Sequence, residues 1–252
     1  MKKINKLTLI FLISLSTTTF IGCNNSNPGS IQGKPLEPAN IYQLSVNEPS
    51  GLTYNSTTGN LYTVEDGNKG QIYEISTTGV LLRTINVDGD DMEGITINST
   101  NDTLFVVEEG NRAVVKYTLD GRNSGRFTVF VSGASTNGLE GIAINPTTKH
   151  IFVLHEKDPR ELIELTATGS KIRTIDISFA DDLSGLCFSL SADKLLFVSD
   201  ESKSLYEIDL DGKLLRYWEI PVEKLEGVAM DQNGLVYIVA ESESKLYIFD
   251  LP

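Results

Sequence analysis

Residues 91–109, DMEGITINSTNDTLFVVEE, hold an apolar alternating run, a polar turn and a second apolar run, with acids at both ends. Glu93 and Gly94 open the first run; Glu108 and Glu109 close the second. Apolar residues at every second position read as a strand, and the Asn-Ser-Thr cluster between the runs reads as a turn. The segment therefore predicts a β-hairpin. The start of one antiparallel strand and the end of the next lie at the same end of the pair, so the hairpin gathers its carboxylates on one side.

The hairpin recurs. EPSGLTY (48–54), DMEGITI (91–97), GLEGIAI (138–144), DLSGLCF (182–188) and KLEGVAM (224–230) share one pattern. Their glycines, Gly51, Gly94, Gly141, Gly185 and Gly227, are spaced by 43, 47, 44 and 42 residues. That period matches one four-stranded blade of a β-propeller. Two residues after each glycine stands a small side chain: Thr53, Thr96, Ala143, Cys187 or Ala229. A crowded inner strand needs such residues, and Cys187 reads as a small core filler.

The second strands are read as LYTVED (61–66), LFVVEE (104–109), IFVLHE (151–156), LFVSDE (196–201) and VYIVAE (236–241). Their apolar runs imply burial on both faces. Third strands follow, then fourth strands at LLRTINV, FTVFV (127–131), KIRTIDI and LLRYWEI, the most polar of each set, as an outer edge should be. The last repeat lacks a fourth strand. IYQLSV (41–46), ahead of the first repeat, can supply it and close the ring. The expectation is an all-β, five-bladed β-propeller of four-stranded antiparallel blades, its N-terminal strand completing the last blade.

The ends and the bulk composition add location. Lys2, Lys3 and Lys6 precede the short apolar run Leu7 to Leu15, followed by Phe20-Ile21-Gly22-Cys23. This resembles a bacterial lipoprotein signal, with Cys23 as the lipidated residue. The run is too short to span a bilayer as a helix. The expected organisation is a signal peptide over 1–22, a flexible tether over 23–39 and a propeller over 40–252. Asn24 after Cys23 favours the outer membrane, facing the periplasm or the cell surface. The chain carries a net charge of −13, which argues against a nucleic-acid partner. Cys187 is left without a partner, so no disulfide is expected. A monomer attached to the membrane through its lipid is expected.

These repeats, with HEKDPRELIEL (155–165) and SDESKSLYEIDLDGK (199–213), resemble the SdiA-regulated family of bacterial propellers, related to NHL-type repeats. The resemblance runs from about Asn40 to Pro252 and implies an exported or membrane-attached propeller of poorly defined role.

The strand geometry places Glu93, Glu140 and Glu226 at inner-strand starts, with Ser50 and Ser184 in the other two blades. It places Asp66, Glu109, Glu156, Glu201 and Glu241 at second-strand ends. All should surround one channel mouth. Two readings stay open: capping of turns by strand-end acids, or a cation or cationic ligand held by oxygen donors, with Ca²⁺ or Mg²⁺ the suitable metals. Positions that break the repeat are further candidates: Ser50 and Ser184, and His155, Lys157, Asp158 and Arg160. His155 itself reads as a surface or hydrogen-bonded histidine. There is no Gly-x-Ser-x-Gly elbow, phosphate loop or dinucleotide fingerprint. The sequence thus favours a binding or scaffold module for a small ligand, a cation or a protein. The alternative is a Ca²⁺- or Mg²⁺-dependent hydrolase resembling gluconolactonase-type propellers, which place Glu-Gly pairs on inner strands.

Overall fold

The computed structural model describes residues 33–252, apart from 68–69, 134–137 and 190–192. The signal segment, Cys23 and the first part of the tether lie outside the described residues.

The described residues form five small antiparallel sheets arranged as the blades of a five-bladed β-propeller. Blade I comprises Pro49–Asn55, Asn60–Glu65, Gln71–Ile75 and Leu81–Asn86. Blade II comprises Met92–Ile97, Thr103–Glu108, Ala113–Thr118 and Asn123–Thr128. Blade III comprises Leu139–Ile144, Ile151–His155, Glu161–Leu165 and Lys171–Asp176. Blade IV comprises Leu186–Ser189, Lys194–Ser199, Ser204–Asp209 and Leu214–Glu219. Blade V comprises Leu225–Met230, Leu235–Ala240 and Lys245–Asp250, completed by Asn40–Gln43. That last pairing is antiparallel, with Ile41 opposite Tyr247 and Gln43 opposite Lys245, and it closes the ring as expected.

Packing closes it too. Five apolar clusters lie one at each blade-to-blade interface. The seam between blades V and I buries Leu44, Val46, Leu52, Leu61, Val239 and Leu246 together. Each buried aliphatic side chain stabilises the fold by about 1.5–3 kcal/mol. The second strands are almost wholly buried and the outer strands largely exposed, the order their composition implied.

The repeated glycines explain how the inner strands meet. A Cβ on Gly94 would strike the carbonyl oxygen of Glu140 in the next blade, and one on Gly185 the carbonyl oxygen of Glu226. Gly141 faces the Ser184 carbonyl, Gly227 that of Ser50, and Gly51 that of Glu93, so the contacts run once around the ring. The residue before the glycine sits where the inner strand shifts register. The shifts fall between Pro49 and Leu52, Met92 and Ile95, Leu139 and Ile142, and Leu225 and Gly227. Such bulges re-aim side chains, and here they carry Ser50, Glu93, Glu140 and Glu226.

Three expectations need correction. The expected tether does not run free to residue 39. Lys34–Pro35 lies parallel to Leu214–Glu219 as a fifth strand on blade IV, and the Leu36 amide donates to the Glu219 carbonyl at 3.0 Å. Leu36 is buried in the cluster between blades IV and V. The outer strand of blade II is Asn123–Thr128, not 127–131. Gly125 there has φ 151° and marks a register shift. Val129 follows the strand as a buried anchor whose amide donates to the Arg112 carbonyl, while Phe130 is exposed. In blade IV the second strand was read one residue late. Leu186 pairs with Phe197, as Ile95 pairs with Val106, so the counterpart of Glu109 is Asp200 and not Glu201. The turn bonds agree: Lys203 N donates to the Asp200 carbonyl as Arg112 N donates to that of Glu109.

Candidate functional site: an acidic channel mouth

The inner-strand bulges and second-strand ends converge on a cavity of about 240 Å³. It is lined by Ser50, Glu93, Glu140, Ser184 and Glu226 from the first set, and by Asp66, Glu156, Glu201 and Glu241 from the second. Asp182, Asp200, Lys157 and Lys224 complete the wall. Nine carboxylates thus share one cavity with two lysines. The sequence reading missed Asp182, Asp200 and Lys224. Asp182 and Lys224 each stand three residues before a repeated glycine, within the quoted motifs, and that position was legible.

Not every expected residue reaches this cavity. Glu109 stands beside it, and its carboxylate accepts the Gly138 amide at 3.0 Å. His155 is fully buried opposite Leu139, where blades I and II have Glu65 and Glu108, so the surface reading of this histidine is set aside. Arg160 donates to the Asp181 carbonyl at 3.0 Å, and Asp158 lies exposed before Pro159; neither lines the cavity. Of that repeat-breaking stretch, Glu156 and Lys157 contribute to the wall.

The acids are not equivalent. Asp182 is buried and accepts bonds from the Ser199 hydroxyl and, at 3.1 Å, the Glu201 amide. Asp91 accepts the Gly110 amide at 3.0 Å. Those carboxylates cap turns. Ser50 does not leave a hole in the ring: its hydroxyl donates to Glu93, with Oγ 2.8 Å from Oε2 and 2.9 Å from the main-chain carbonyl. The Glu140 carboxylate meets no side-chain or turn donor among the described residues; burial and the neighbouring acids dominate its surroundings.

The cations sit on one side. Lys157 Nζ lies 3.0 Å from Glu156 Oε1 and 2.8 Å from Glu201 Oε1. Lys224 Nζ lies 3.6 Å from Glu241 Oε2. Blades III to V are therefore partly compensated, whereas Asp66, Asp91, Glu93, Glu109 and Glu140 cluster on the side of blades I to III. In that cluster two trios bring carboxylate oxygens within 4.8 Å of one another: Asp66, Asp91 and Glu93, and Glu109, Glu140 and Glu156.

Crowding and burial raise the pKa values. Glu140 is pushed well above the carboxylate range by burial, then by the charges of Glu93, Glu226, Glu156 and Glu109. Glu93 is raised by burial and by Asp66, against the Ser50 hydrogen bond. Glu226 is pushed up to about 8 by burial, with Lys224 opposing and Glu241 adding. Burial and mutual repulsion thus disfavour full ionisation of this set of carboxylates.

Fold and site together define an acid-mouthed β-propeller. The chain belongs to the SdiA-regulated family, whose pattern matches residues 32–250. Among solved structures it is similar to the glutaminyl cyclase of Myxococcus xanthus, at 12% identity and TM-score 0.68, covering 86% of this chain and 98% of that one. It is similar to a chain of the nidogen/laminin complex, at 17% identity and TM-score 0.60, covering 81% and 76%. It is also similar to streptogramin B lyase, at 16% identity and TM-score 0.52, covering 81% of this chain and 65% of the lyase. The chain thus spans less than two thirds of the lyase's length. At these identities the likeness shows the fold alone.

Proposed function

We propose that the chain is a binding module that takes a cation at the acidic mouth. One observation carries the reading: Glu93, Glu140 and Glu226, from three blades, share a cavity in which carboxylates outnumber lysines nine to two. A cavity of about 240 Å³ lies below the ~300–1,000 Å³ of pockets for drug-sized ligands. It suits a hydrated divalent cation or a small ammonium better than a peptide or a sugar chain. Ca²⁺ or Mg²⁺ fits a donor set made only of oxygens. Asp66, Asp91 and Glu93, or Glu109, Glu140 and Glu156, would hold it.

Calorimetry with CaCl₂ and with MgCl₂ tests this. Binding should release protons at pH 7, because a cation replaces protons held by the raised carboxylates. The heat should then change with the ionisation enthalpy of the buffer. Glu140→Gln should weaken binding about tenfold or more, which is about 1.4 kcal/mol or more. Absence of heat for both metals at millimolar concentration would overturn the reading. The hydrolase alternative uses the same carboxylate trios, with the metal activating water. It requires turnover of a lactone or ester that Glu140→Gln abolishes.

The N-terminal pattern supports an exported lipoprotein whose propeller is held to the membrane, the outer membrane by our reading, through Cys23. Cys23→Ala should move the protein from the membrane fraction to the soluble fraction. Unchanged membrane attachment in that variant would remove the lipid anchor from the proposal.

A further inference from the structure

The inner strands run from the acidic mouth to a second opening of opposite character. There the strand ends of all five blades wall a cavity of about 150 Å³. Tyr54, Ile97, Ile144, Phe188 and Met230 form much of the wall, with Cys187 among them. None of the lining residues is Asp, Glu, Lys or Arg, in a chain where those residues make up 22%. The polar part of the lining is hydroxyl and amide. Asn101 Nδ2 donates to Ser56 Oγ at 3.0 Å and to Thr57 Oγ1 at 3.1 Å, tying blade II to blade I at this rim. Lys149 touches the lining and donates to Ser99 Oγ and the Pro146 carbonyl.

Size and chemistry together narrow the occupant. A closed apolar cavity of about 150 Å³ is large enough to take up benzene. An open cavity of this volume with a neutral polar rim has room for a ring and a partner for one polar substituent. An ammonium entering it would give up water without meeting a fixed opposite charge among the lining residues, and a carboxylate would meet only Lys149 at the rim, whose ammonium is already engaged by Ser99 and Pro146; either entry is costly. We propose that this second mouth is a binding site for a small uncharged molecule with an aromatic or aliphatic body and a single hydroxyl or amide. The site is independent of the cation reading and lies at the other end of the channel.

The probe is phenol, titrated into the full-length protein and followed by calorimetry. The heat should saturate hyperbolically, reaching about nine tenths of its limit at ten times the half-saturating concentration. Benzoate and benzylammonium at the same concentrations should give no saturable heat. Ala229→Leu, whose longer side chain enters the cavity that Ala229 lines, should abolish the phenol heat in protein that keeps its strand circular dichroism. Glu140→Gln should retain it, so this site can stand when the acidic one fails. Equal binding of the charged probes, or no saturable heat with phenol in the parent protein, would overturn the proposal whatever the Ala229 variant does.

Discussion

Gly94→Ala should leave the protein without a stable ring. The added Cβ would run into the main-chain carbonyl of Glu140, which belongs to a strand and cannot swing aside as a side chain can. Relief requires blade II to back away from blade III, which breaks the closed circuit of inner-strand contacts. Overpacking against a movable side chain costs about 1–3 kcal/mol, and a clash with fixed backbone should exceed that. A chain with a typical stability of about 5–15 kcal/mol would then be largely unfolded or recovered only as aggregate. Gly110→Ala is the matched control: its Cβ meets only the carboxylate end of Asp91, which can move. Urea unfolding should show Gly110→Ala near the parent and Gly94→Ala far below it. A normal midpoint for Gly94→Ala would mean that the inner strands are not in this close register.

The second large effect is a stability that falls as pH rises. An acid whose folded pKa lies above its unfolded value holds a proton in the native state that the unfolded chain has lost. Over that interval, raising the pH favours unfolding. For Glu226 the interval runs from about 4.5 to about 8. Its contribution to the loss is on the order of 3 kcal/mol once its partial exposure is discounted. Glu93 and Glu140 act in the same direction. Without divalent metal, the parent protein should therefore be clearly less stable in urea at pH 8 than at pH 5. Glu226→Gln should be the more stable protein at pH 8 and show a flatter profile. A parent profile that is flat or rises between these pH values would contradict the crowding at the mouth. Millimolar CaCl₂ should restore stability to the parent at pH 8 and do less for Glu140→Gln.

How much of this was visible in the sequence depends on what each residue answers to. The x-Gly pairs and their spacing answer to a fivefold constraint, close approach at the axis, so the blades could be read directly. The closing strand was legible because Ile41 continues the alternating pattern that precedes every repeat. The outer strand of blade II was misplaced because FTVFV looks more like a strand than NSGRFT does. Its apolarity belongs to Val129, an anchor beyond the strand, while Gly125 interrupts the segment that does pair. The slip in blade IV had a similar source: LFVSDE matches LFVVEE letter for letter at its start, but Lys194–Ser199 pairs one position earlier. Pairing of Lys34–Pro35 left no pattern, since two residues cannot show a period. At the mouth, acids were predicted by position, yet their division into turn caps and uncompensated carboxylates depends on which amide or lysine each one meets. The second cavity was invisible for a related reason: its walls are ordinary strand-end residues, distinguished by the charge they jointly lack.

The seam between Asn40–Gln43 and Lys245–Asp250 also sets a schedule for biogenesis. The earliest partner is synthesised about two hundred residues before the latest, and at ~5–20 residues per second it waits roughly 10–40 s for its mate. Four blades can assemble from contiguous sequence as they emerge, whereas the fifth is shut only once Lys245–Asp250 has been made. Any factor that shepherds this chain while it folds should therefore bind the lone early strand, and release it last.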